Sequence, residues 1–203
     1  MHRLDFHLLS VIILIVLQKY YICKKGIRMD FIAIDFETAN HNRSSACQIG
    51  LAKVINDKIV ETKCFYIKPT PNYYEPINVR IHGITQDLTD NAPTFEALWH
   101  NELSHYFDGY ELVAHNASFE ISVFNAIKPF FEFEVPQIYD TLKFSRAFCP
   151  ELLNFRLDSV CDFFNIPLDK HHDAECCFPD CVNIKLQKQI FFPLHYSVYQ
   201  MFI

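Results

Sequence analysis

The chain has 203 residues, 50% of them hydrophobic and 21% charged, which suits one folded domain plus a tail and excludes wholesale disorder. Its four glycines (Gly26, Gly50, Gly83 and Gly109) lie too far apart for a G-x-x-x-x-G-K or G-x-G-x-x-G loop, excluding glycine-loop nucleotide hydrolysis and dinucleotide chemistry. The net charge of −6 argues against tight non-specific binding of duplex DNA by phosphate neutralisation alone, yet suits a small negative site for divalent cations.

Residues 8–17 (LLSVIILIVL) are an apolar run too short for a bilayer span, which needs roughly 20 residues. Lys19, Lys24, Lys25 and Arg28 follow that run, whereas a secretory signal carries its charge ahead of it. Residues 1–28 are therefore expected to be an upstream extension or a mis-set start. A membrane anchor and a core-packed helix are the alternatives. Phe31–Asp35 (FIAID) is a short strand buried on both faces. Ala46–Ile55 is a second strand, and Asn56-Asp57 a tight turn into a third, Lys58–Ile67, making an antiparallel meander. Pro69, Pro71 and Pro76 punctuate a loop.

Ala92-Pro93-Thr94 precedes a helix in which Phe95, Leu98, Trp99, Leu103 and Phe107 recur at helical spacing. Glu111–His115 is another buried strand, followed by a helix from Ser118 to Lys128 that Pro129 limits. Gln137–Asp140 is a short strand; Thr141–Phe148 and Arg156–Phe164 are helices. The pattern predicts one α/β domain over residues 29–184, a mixed sheet flanked by helices, with an apolar tail over 185–203. The eight cysteines are irregularly spaced, as expected of reduced thiols in the cytoplasm rather than of a disulfide framework.

Three segments place acids or histidines at strand ends and helix starts. Asp35 and Glu37 stand two apart at the end of the first strand, so both carboxylates project from one face. Held close and partly buried they need a cation; a solvated strand end is the alternative. Glu120 follows His115-Asn116-Ala117-Ser118-Phe119 in a first helical turn that Ser118 can cap. Its alternative is an ordinary helix-dipole carboxylate. His171-His172-Asp173-Ala174-Glu175-Cys176-Cys177 is the third segment, with polar loop histidines as the alternative.

In order and spacing these segments resemble the three motifs of the DEDDh 3′–5′ exonuclease superfamily. The group like the epsilon subunit of bacterial DNA polymerase III is the nearest in kind. D-x-E-T matches Asp35, Glu37 and Thr38. H-N-A-x-F-D matches His115, Asn116, Ala117 and Phe119, with Glu120 in place of the aspartate. H-x-A-x-x-D matches His172 and Ala174 but puts Cys177 at the last acid. IHGIT (Ile81–Thr85) is similar to the segment lining the family's nucleotide site.

The resemblance implies a ribonuclease-H-like fold with a five-stranded mixed sheet. It implies two divalent cations, Mg²⁺ or Mn²⁺, which bridge the scissile phosphate of a DNA or RNA 3′ end. Asp35, Glu37 and Glu120 would be metal ligands, and His172, with His171 as runner-up, the general base. Thr38, His82, Ile84 and Asn116 would contact the substrate. A single-stranded nucleic acid and a DNA polymerase are the expected partners; a membrane is not.

Two departures stand out. Glu120 for aspartate keeps the charge and adds one methylene. Cys177 replaces a hard oxygen ligand by a soft thiolate that Mg²⁺ does not favour, and Pro179 interrupts the helix around it. Asp173 or Asp180 could substitute imperfectly. The second reading is therefore a catalytically inactive nucleic-acid-binding or polymerase-associated module of the same fold. A zinc site from His171, His172, Cys176, Cys177 and Cys181 matches no common finger spacing.

Overall fold

β1 (Phe31–Thr38) is apolar at its start and acidic towards its end, and that change organises both the core and the site. The computed structural model describes residues 30–56 and 58–163. In it β1 is the middle strand of a five-stranded sheet of order β3-β2-β1-β4-β5. β2 (Ala46–Ile55) and β3 (Lys58–Tyr66) form the predicted antiparallel meander with it. β4 (Glu111–Ala114) and β5 (Ile138–Asp140) add in parallel on the other side. The mixed sheet is as predicted.

β1 runs on past Asp35 to Thr38, because pairing with β2 continues through Glu37↔Gln48 and, after a bulge, Thr38↔Ala46. The acidic residues are thus held extended by ladder hydrogen bonds. The proline-punctuated stretch contains helix as well as loop: α1 (Pro76–His82) and α2 (Gln86–Thr89). Pro76 sits in the first turn of α1, where its missing N–H is no loss, and Gly83 ends the helix at φ 73°. The helix predicted from Phe95 is continuous but not uniform. α3 (Phe95–Leu98) passes through a π-helical turn (Trp99–Leu103) into α4 (Ser104–Phe107). α5 (Ser118–Ile127) tightens into a 3₁₀ turn at Lys128–Phe130, which contains Pro129. α6 (Thr141–Phe148) and α7 (Leu157–Phe163) follow β5.

Strand parity divides the core. Ile32, Ile34 and Phe36 of β1 pack with Ile49 and Leu51 against Phe95, Leu98, Leu103, Val123 and Phe124 of the helices. Phe31 and Ala33 face the other way, with Ala52, Val54 and Val113. Each fully buried side chain of this size stabilises the fold by about 1.5–3 kcal/mol relative to exposure. The helix-facing cluster is aromatic: Phe36 meets Phe124 edge-on at 5.1 Å, and Trp99 lies 4.7 Å from Phe133. Among the described residues no helix is long and apolar enough to cross a membrane. The expectations for residues 1–28 and 185–203 lie outside the described residues.

Candidate active site

The parity that puts Ile34 and Phe36 into the core turns Asp35 and Glu37 away from it, each half-buried. A third carboxylate arrives from the next crossover. After β4 the chain turns through His115–Ala117, with Asn116 at φ 69°, and enters α5. Ser118 is already helical and provides no cap; its hydroxyl donates instead to Asn116 Oδ1 at 2.8 Å. Glu120, in the first turn, is 2% exposed, and its Oε2 has no hydrogen-bond partner. Burial first, then the charge of Asp35, pushes its carboxyl up to about 9, against the pull of backbone N–H groups of Phe36 and Glu120 itself. The end of β1 and the start of α5 therefore share one electrostatic site.

Asp140, at the end of β5, fastens the turns around that site. Its Oδ1 accepts from Asn116 N at 3.1 Å and from Leu142 N at 2.9 Å, joining β4's turn to the start of α6. It also adds to the negative field on Glu120. Sequence reasoning passed over Asp140, although it shares the acid-at-a-strand-end pattern of Asp35. His115 is anchored similarly, Nδ1 lying 2.9 Å from Thr141 Oγ1 and Nε2 donating to Phe155 O at 3.0 Å. Burial depresses its pKa.

Thr38, His82 and Ile84 are all buried, at 5%, 5% and 1% exposure. The structure gives them an internal role. His82 Nε2 donates to Thr38 O at 3.2 Å while its Nδ1 accepts from Ile84 N at 3.0 Å, a pattern that only the neutral ring satisfies. Asn78 Nδ2 donates to the same Thr38 carbonyl at 2.8 Å. Ile84 packs against Ala39 and Cys47. The IHGIT segment is thereby fastened to the acidic end of β1, and its exposed side chain is Ile81.

Burial lowers the His82 pKa from its ordinary 6.5. The unfolded chain then binds the extra proton first, so the neutral ring's contribution is complete above about pH 6.5 and is lost as pH falls. His82→Ala should cost about 1–3 kcal/mol at pH 7.5, by leaving the Ile84 N–H buried without a partner. It should also flatten the stability decline between pH 7 and pH 5. Urea denaturation at both pH values checks this; an unchanged slope removes His82 from the account.

Residues 32–176 match the exonuclease family RNase T. The chain belongs to that family. Among curated relatives, the exonuclease domain is 30% identical over 148 residues to the PolC-type DNA polymerase III of Caldanaerobacter subterraneus subsp. tengcongensis, covering 71% of this chain and 10% of that protein. It is 28% identical over 157 residues to the DNA polymerase III epsilon subunit of Haemophilus influenzae, covering 68% of this chain and 58% of the relative. The chain thus spans about a tenth of the PolC-type relatives it matches. Among solved structures, exonuclease X in complex with 5′-overhanging duplex DNA has the same fold, with a TM-score of 0.55, 24% identity, and coverage of 70% of this chain and 80% of that one. Escherichia coli exonuclease I in complex with an oligonucleotide gives 0.55 at 20% identity, covering 70% and 37%. These neighbours carry the ribonuclease-H-like sheet expected of the exonuclease domain.

The third segment, with His171, His172, Asp173, Cys176, Cys177, Pro179, Asp180 and Cys181, lies outside the described residues. Among the described residues no three His, Cys, Asp or Glu side chains close into a group that could hold a metal ion. In donor chemistry, though not as an assembled group, Asp35, Glu37 and Glu120 suit a hard divalent cation. They offer oxygen only, and the buried Oε2 of Glu120 lacks any partner. Cys47, behind Glu37, is no competitor: burial, then the Glu37 charge, pushes its thiol up to about 12.

Proposed function

We propose that the chain is a metal-dependent 3′–5′ exonuclease that hydrolyses the terminal phosphodiester of single-stranded DNA or RNA, releasing nucleoside monophosphates. The observation that carries this reading is the convergence of Asp35 and Glu120 on one negative site, with Glu120 buried, its Oε2 without a partner and its pKa raised. Such a carboxyl is costly to bury and is relieved by a cation. Mg²⁺ or Mn²⁺, two ions in the family pattern, would supply charge at the scissile phosphate and at the attacking and leaving oxygens. Asp35, Glu37 and Glu120 are the side chains to hold them. His172, assigned from the sequence pattern, takes the proton of the attacking water. Asn116, exposed in the turn before α5, is the proposed substrate contact there. Thr38, His82 and Ile84 act on the substrate through the position of the segment they fasten.

Relatives named DNA polymerase III PolC-type and DNA polymerase III subunit epsilon make a DNA polymerase the protein partner to test, with the cytoplasm as the proposed compartment. Single strands labelled at the 3′ or the 5′ end, incubated with Mg²⁺, Mn²⁺ or EDTA, decide the reaction. Shortening from the 3′ end that stops with EDTA and returns with Mn²⁺ at least as well as with Mg²⁺ is expected. Internal cuts, or full activity in EDTA, would overturn the proposal. Cys177 favours the second reading, an inactive nucleic-acid-binding or polymerase-associated module; binding without cleavage under every metal would select it.

A further inference from the structure

We propose that Arg43 is a phosphate-contacting residue that holds a backbone phosphate of the bound strand at the mouth of the carboxylate site. The inference rests on the exonuclease reading above. Residues 39–45 join β1 to β2 beyond Thr38, so they lie at the same end of the sheet as Asp35 and Glu37. This loop is braced from within. Ala39 N donates to Ser45 O at 2.8 Å, and Asn42 N and Nδ2 both donate to Asn40 Oδ1, at 3.0 and 2.9 Å. It is also braced from outside: Asn40 Nδ2 donates to Tyr73 O at 2.8 Å, and Glu75 N to Ala39 O at 2.9 Å. Asn40 is 1% exposed and Ser45 0%, whereas Arg43, between them, is exposed. A rigid frame thus presents one cation.

The guanidinium carbon of Arg43 lies 4.5 Å over the ring of Phe119, the residue before Glu120. Phe119 packs against the aromatic core, and its N–H donates to Asn116 O at 2.9 Å, so the stack is fixed to the helix that carries Glu120. Among the described residues no carboxylate pairs with Arg43, whereas Lys63 has Glu61 and Glu102, and Arg156 has Asp158. Stacking occupies one face of the guanidinium and leaves its in-plane N–H donors available, the geometry that takes two phosphate oxygens side by side. A strand approaching four acids (Asp35, Glu37, Glu120 and Asp140) needs a cation of this kind beside them. An arginine serving the loop alone would not require its donors to stay unengaged.

The experiment measures binding of a fluorescent single-stranded oligonucleotide to the full chain with Ca²⁺ at several salt concentrations, for the parent, Arg43→Ala and Arg43→Lys. Arg43→Ala should bind about tenfold more weakly, and the slope of log affinity against log salt should shrink by about 0.7, the signature of one lost phosphate contact to a single strand. Arg43→Lys should restore the slope and only part of the affinity. Equal affinity and slope in Arg43→Ala and the parent would overturn the inference and leave the exonuclease reading standing. So would a loss that follows a lowered melting temperature and is not restored in slope by lysine. If the parent neither binds strands in Ca²⁺ nor cleaves them in Mn²⁺, the exonuclease reading fails and the assignment of Arg43 fails with it.

Discussion

Glu120→Gln should abolish turnover and, in EDTA, make the protein more stable above neutral pH. The carboxyl rises from an ordinary value of 4.5 to about 9 on folding, through burial and the Asp35 charge. A raised acid pKa means that the folded chain keeps a proton the unfolded chain has released. The contribution of this carboxyl to stability is therefore complete below about pH 4.5 and declines as pH climbs towards 9, by up to about 1.4 kcal/mol per pH unit for one proton. Glutamine has the shape of the protonated acid and no proton to lose, so its profile should lack this decline, and the gap between variant and parent should widen from pH 6 to pH 9. Asp35→Ala should also stop turnover, and by removing the second cause of the shift should lower the Glu120 pKa and shallow the decline. Glu37→Ala should stop turnover with the fold intact. Urea denaturation at pH 6 and pH 9, with rate measurements in Mn²⁺, checks all three variants. A parent profile parallel to that of Glu120→Gln would mean that this carboxyl is ionised and hydrated.

Cys177→Asp should raise the exonuclease rate by about 10²–10³, and further when Pro179→Ala lets a helix continue through the segment. The family pattern places a carboxylate at Cys177, and a thiol is a poor ligand for a hard cation. Restoring one fixed charge at the reacting phosphate is worth about 3–4 kcal/mol of transition-state stabilisation, which sets the size of the expected gain. Rate against Mg²⁺ concentration for the parent, single and double variants is the measurement. A parent that is already fast and unmoved by the aspartate would assign the fourth oxygen ligand to Asp173 or Asp180.

How much of this was legible in the sequence depends on the range of the forces involved. The five strands and the acids on β1 follow from local alternation, because a period of two fixes which side chains share a face. The bulge that carries β1 on to Thr38 was not readable, since Glu37 and Thr38 are held extended by pairing with Gln48 and Ala46 on another strand. Periodicity carries no such information. α1 was hidden by Pro76, a residue that marks loops but is also at home in a first helical turn. The internal roles of His82 and Ile84 depend on a histidine tautomer set by two backbone groups 44 and two residues away in sequence. Asp140 escaped notice because its partners, Asn116 and Leu142, sit on two different crossovers. The π-helical turn at Trp99–Leu103 leaves no mark in the apolar spacing, which suits an α-helix equally well.

That turn brings the chain's single tryptophan into the aromatic cluster behind the site. Trp99 lies 6.2 Å from Phe124, which is one helical turn beyond Glu120 on α5, and Phe124 touches Phe36, the residue between Asp35 and Glu37. The indole is therefore two ring contacts away from the acids on β1, and a single turn of helix separates its neighbour Phe124 from Glu120. A shift of β1 against α5 as the acids gather around a cation would alter the polarity and packing that the indole senses. The native fluorescence of one residue would thus make the protein its own optical gauge, reporting loss of the core on denaturation and, if the acids take up a cation, that event too, without an attached dye.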